Sequence, residues 1–169
     1  MPFEKSWSGM RKYLEQEMLA PSLSGRVRYH CGAPIEGEAR LFAVYVDGRA
    51  VRHYSMESMA SALYQGEKPT DMAAFWRGYW HASGQVPPGD RDAHDEQEFA
   101  KALRVYRASD IAASLASEDP NVRMFALLDR RVGKRTLTRL RAEAAAWPEW
   151  LRGFYDLRAA AEGLPTTHE

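Results

Sequence analysis

A chain of 169 residues with 45% hydrophobic and 27% charged residues has an ordinary globular composition, which excludes a disordered segment, a collagen and a disulfide-stapled miniprotein. Lysine plus arginine (23) balances aspartate plus glutamate (23), so no global field draws the chain to nucleic acid or anionic lipid, and any electrostatic function is local. The one cysteine, Cys31, admits neither an intramolecular disulfide nor a multi-cysteine metal cluster, which points to a reducing cytoplasm.

The N-terminal stretch MPFEKSWSGMRKYLEQEM mixes charge with apolar residues, so it carries neither a signal-peptide core nor a membrane span. Trp7, Met10, Leu14 and Met18 recur at helical spacing behind Ser6, and Pro21 stops the pattern, which predicts an amphipathic helix over 7–19. In Arg26 to Cys31, Val27, Tyr29 and Cys31 alternate with Arg26, Arg28 and His30, the period of a half-buried strand. Arg40 to Val46 is almost continuously apolar, and Asp47-Gly48 suits a type I′ hairpin into a third strand, Arg49 to Tyr54. Taken literally, that turn pairs Val46 with Arg49, Val44 with Val51 and Phe42 with His53. It then gathers Phe42, Val44, Val46 and Val51 on the core face and leaves Leu41, Ala43, Tyr45, Ala50, Arg52 and Tyr54 on the other.

No strand signal follows Ser55. Met72, Phe75, Trp76, Tyr79 and Trp80 fall on one stripe of a helix that ends in the 84–89 Gly/Pro stretch. The acidic run DRDAHDEQE leads into a helix through Phe99, Leu103 and Tyr106, its carboxylates suiting the helix dipole. Further helices are predicted over Ser109–Ser117, from Pro120 to about Arg131, over Lys134–Ala146 and over Glu149–Glu162. The expected fold is α+β in one domain over 1–169: a helix and three-stranded antiparallel meander over 1–54, then a helical part over 55–169.

Asn121 to Arg141 is the most unusual stretch, with seven basic residues against one acid, Asp129. Arg135 and Arg139, at i and i+4 of a predicted helix, point outward together, opposite Leu137, Leu140 and Ala144. Arg123, Arg130, Arg131, Lys134, Arg135 and Arg139 form the candidate binding surface, suited to phosphate or carboxylate. The competing reading is an ion-pair network with the acidic 90–98 segment or with Asp129, Glu143 and Asp156. Arg26, Arg28, His30 and Arg52 are a second, weaker basic cluster on the meander, against which stands a plain wet strand face.

Asp90, Asp92 and Asp95 resemble an EF-hand only superficially, because His94 occupies a ligand position and Asp95 the turn glycine. His94, His30, His53 and His81 lack metal-ligand spacing, and His30 and Cys31 point to opposite faces of a strand. No nucleophile elbow, phosphate loop or zincin motif occurs, so no catalytic residue, cofactor or metal is assigned. The aromatic stripe over 75–80 reads as core, or, if exposed, as a partner site.

Two stretches, GRVRYHC with VDGRAV and SLASEDPNVRMFALLDRRVGKRTL with PEWLRGFYDLRAAAEG, resemble a family of small bacterial proteins of no established activity. The resemblance leaves out roughly 55–100 and implies a bacterial cytoplasmic origin, with Asp129 to Arg135 inside the family's LDRRVGKR-type signature. The functional expectation is a non-catalytic cytoplasmic protein acting through protein contacts, as an adaptor or immunity-type binder, without membrane association. The alternative is nucleic-acid or phosphate-ligand binding through the basic region, and an enzyme ranks third.

Overall fold

The computed structural model describes residues 6–32 and 41–169, so the Arg40 start of the second predicted strand lies outside the described residues. Helix α1 (Trp7–Lys12) is capped by the Ser6 hydroxyl, which accepts from the Gly9 N–H, and runs on as a wider π turn over Tyr13–Glu17. Strands β1 (Val27–Cys31), β2 (Phe42–Val46) and β3 (Arg49–Tyr54) form an antiparallel sheet in the order β1-β2-β3. Seven helices follow: α2 (Met56–Tyr64), α3 (Met72–Gln85), α4 (Glu96–Ala108), α5 (Ile111–Leu115), α6 (Pro120–Leu128), α7 (Lys134–Ala144) and α8 (Glu149–Ala161). This is the α+β arrangement expected; α2, capped by the Ser55 side chain, falls within the expected helical part but on a stretch where periodicity outlines no individual helix.

Asp47 and Gly48 both have positive φ, +50° and +79°, as the type I′ turn requires. Beyond the turn the register departs from the simple expectation. Val46 pairs with Arg49 and Tyr45 with Ala50, but Val44 pairs with Arg52 and Phe42 with Tyr54. Val51 is therefore the extra residue of a β-bulge, and one inserted residue exchanges the faces of everything after it. Val51, expected in the core, stands 49% exposed, whereas Tyr54, expected on the outer face, is fully buried beside Phe42. Arg52 likewise lies on the Val44 side and not beside Arg28 and His30. The exchange is stabilised by partners far along the chain: the Tyr54 hydroxyl donates to Asn121 Oδ1 (2.7 Å), and Arg52 finds acceptors around residues 92–94.

The core face of the sheet meets α1, α4 and α6 through aromatic rings. Phe42 stacks on Phe99 at 4.5 Å, Tyr54 tilts against Phe99 at 5.0 Å, and Phe125 lies between Tyr29, Phe99 and Tyr106. The outer edge of β1 is closed by a side chain, since the Tyr29 N–H donates to the Glu15 carboxylate (2.8 Å). Helix α6 ends at Leu128, short of the expected Arg131, because the chain there pairs with the segment after α1. The Ala20 N–H donates to the Leu128 carbonyl and the Arg130 N–H to the Met18 carbonyl. Helices α2 and α3 enclose a separate small cluster of Met59, Ala60, Tyr79 and Ala82. A Cβ at Gly78 would collide with the Tyr64 hydroxyl, which donates to the Phe75 carbonyl, so glycine leaves room for that hydroxyl against α3. Among the described residues, no helix is long and apolar enough to cross a membrane.

Candidate functional site

The acidic run at 90–98 is folded inward. Asp95 caps α4 in a reciprocal capping box with Glu98, and its other oxygen accepts from the buried Tyr79 hydroxyl at 2.9 Å. Arg91 and Glu98 form an ion pair with both side chains only 11% exposed. His94 is fully buried. Its Nε2 lies 2.8 Å from the Pro88 carbonyl and its Nδ1 2.5 Å from Arg52 Nη2, which requires the proton on Nε2 and a lone pair on Nδ1. Burial, with the Arg52 and Arg91 charges acting in the same sense, holds its basicity down to about 4, so the ring is neutral. Burial also raises the Glu96 carboxyl, and pushes the Tyr54 hydroxyl up to about 12. Among the described residues no three of His, Cys, Asp and Glu are placed to hold a metal ion.

Arg52 is the hub of this region. Its guanidinium lies 3.7 Å from the centre of the Trp150 ring while Nη1 donates to the Asp92 carbonyl. Beside it, the β2–β3 hairpin and one face of α8 bound an open cleft of about 530 Å³. No short motif announces this assembly, because it joins three segments that are distant in sequence.

The sequence-predicted basic surface divides in two. The Arg123 Nε donates to the Ser117 carbonyl and its guanidinium lies over Trp147. Arg131 makes a two-toothed pair with Asp129, whose side chain is wholly buried and also accepts from the Tyr106 hydroxyl. That pairing holds the Arg131 charge above its ordinary range. Arg130 donates to the Glu17 carbonyl from an exposed position. Lys134, Arg135 and Arg139 are exposed on α7, their side chains without a hydrogen-bond or ion-pair partner among the described residues. Sequence inspection missed Arg158, the most deeply placed cation among the described residues, which is 3% exposed and donates to the carbonyls of Leu127, Asp129 and Val132. It thereby fixes the 127–132 corner from beneath. The meander cluster is dispersed as well, since Arg26 is paired with Asp47 (2.9 Å) and Arg52 lies on the opposite face from Arg28 and His30.

The aromatic stripe of α3 is split. Tyr79 is buried and Phe75 and Trp76 are half-buried, but Trp80 is 51% and Met72 62% exposed. Trp76 and Trp80 stack at 5.8 Å, so Met72, Trp76 and Trp80, four residues apart, present a continuous apolar ridge flanked by Arg77 and His81. The chain belongs to the SF0329 protein family, whose profile matches residues 6–159. No curated protein and no solved structure matches it.

Proposed function

We propose that this SF0329 family member is a non-catalytic protein that acts by binding another protein, as an adaptor or immunity-type binder, in a bacterial cytoplasm and as one domain. The observation that carries this reading is the Met72–Trp76–Trp80 ridge, because a peripheral helix that leaves half a tryptophan in water has the composition of an interface anchor. The test is a photo-crosslinking amino acid placed at Met72, with the exposed α7 position Glu143 as control, in cells of the protein's source. A discrete adduct from position 72, absent from position 143 and lost when Trp80→Glu is added, is the expected result. No adduct, or the same adduct from both positions, overturns the reading.

The three unpartnered cations of α7 favour a second reading, in which Lys134, Arg135 and Arg139 contact a nucleic-acid backbone or a phosphate ligand. Three phosphate contacts predict that log affinity falls with log salt at a slope of about −3 for duplex DNA. An Arg135→Ala, Arg139→Ala variant reduces that slope to about −1. Absence of binding at low salt removes this reading.

A further inference from the structure

The cleft beside Arg52 has the volume of a small-molecule site, about 530 Å³ where such sites run from roughly 300 to 1,000 Å³. Its walls are apolar: Val46 and Val51 from the hairpin, and Trp150, Phe154 and Leu157 from α8. Three features of the chain hold it open. The bulge turns Val51 out of the core and onto the cleft wall. Arg52 is held back against the Trp150 ring by its bonds to the Asp92 carbonyl and to His94, so it does not swing across the opening.

The third feature is Gly153, in the interior of α8 and on the cleft surface. It is not among the glycines with positive φ, and a Cβ built on it meets nothing within 4 Å. Neither backbone conformation nor packing within the described chain requires glycine there, and glycine is a poor helix former. What its missing side chain provides is room in the cleft.

The polar groups at the cleft set its chemistry. Asp92 and Glu149 are exposed residues of its lining, and their carboxylates have no hydrogen-bond or ion-pair partner among the described residues. The one cation, Arg52, already directs Nε, Nη1 and Nη2 at protein acceptors and lays one face on Trp150. Unpaired negative charge beside an apolar surface complements a positive charge on an apolar body. We propose that the cleft binds a small organic cation, an amine carrying an aromatic or aliphatic group, with the body against Trp150, Phe154 and Leu157 and the ammonium between Asp92 and Glu149. This site is separate from the α3 ridge and stands whether or not that ridge binds a protein.

The experiment is a titration of the full chain, followed by amide NMR, with phenethylamine, its neutral analogue 2-phenylethanol and its anionic analogue 3-phenylpropionate. Phenethylamine is expected to shift the amides of Val51, Gly153 and their neighbours, with at least tenfold tighter binding than the alcohol and none by the acid. The Asp92→Asn, Glu149→Gln variant is expected to bring the amine down to the alcohol, and Gly153→Leu, a better helix former, to abolish both. Equal affinity for amine and alcohol overturns the proposal, as does tighter binding of the acid, full amine affinity in the carboxylate variant, or no shift at about 10 mM amine. If Gly153→Leu alters the fold, the carboxylate variant, changed only at exposed positions, decides the question.

Discussion

Lowering the pH from 7 to 4 is expected to remove about 3 kcal/mol of stability through one residue, His94. The ring is sealed between a guanidinium that needs its Nδ1 lone pair and a carbonyl that needs its Nε2 proton, so a second proton has no acceptor and meets the Arg52 charge. The charged groups that act on it are Arg52 and Arg91, which oppose protonation, and Asp95, which favours it, with burial the largest influence. The unfolded chain takes up the proton near 6.5 and the folded chain only near 4. Between those values the unfolded state binds more protons, so stability falls as pH falls through the window and levels off below it. Glu96 and Asp119 act in the opposite sense, since burial raises their carboxyls and the folded state accepts protons there first. The assay is therefore a difference: urea unfolding by tryptophan fluorescence at several pH values, for the wild type and for His94→Gln. Glutamine has an oxygen to accept from Arg52 and an amide to donate to Pro88, but does not titrate. The wild type is expected to lose about 3 kcal/mol relative to the variant between pH 7 and 4, with unchanged denaturant slopes. Parallel pH profiles for the two proteins would refute the burial of a neutral His94.

Removing the guanidinium in Arg158→Leu leaves the carbonyls of Leu127, Asp129 and Val132 buried with one donor fewer each. The expected cost is about 3–5 kcal/mol in urea denaturation, against less than about 1 kcal/mol for the exposed Arg139→Leu. Glu15→Ala uncovers the Tyr29 N–H on the β1 edge; a loss of about 1–2 kcal/mol in thermal unfolding is expected, with faster aggregation followed by light scattering. Gly78→Ala drives a methyl into the Tyr64 hydroxyl and is expected to shift the emission of Trp76 and Trp80 to the red, while amide NMR spectra of the α6–α8 region stay unchanged.

The hairpin and most of the helices are legible in the sequence because their signals are local: Asp47-Gly48 for the turn and 3.6-residue periodicity for the helices, to which the structure adds the caps Asp71, Asp95, Asp110 and Asp119. The bulge at Val51 is not. Whether Val51 or Tyr54 faces the core depends on Asn121, 67 residues beyond Tyr54, and on the pocket that receives Arg52. Within the basic stretch, the partners of individual arginines are legible to different degrees. Arg123 and Arg130 are bound by backbone carbonyls, which every residue carries and no sequence pattern marks, while Arg131 is taken by Asp129 two residues away. The ridge on α3 follows from periodicity as a stripe, but only the packing of α2 shows that its Trp80 end stays in water.

The α2–α3 pair keeps its own apolar cluster, distinct from the larger core beneath the sheet, and the Tyr79–Asp95 bond reaches from α3 to the cap of α4. A unit with its own apolar cluster, tied to the 91–98 segment through Tyr79, Met56, Met59 and Val86, can open while the rest of the molecule stays closed, and its amides are expected to form a separate, faster class of hydrogen exchange. A partner that grips Trp80 would slow that class alone, and the free energy of its grip would be readable as protection at residues 56–85.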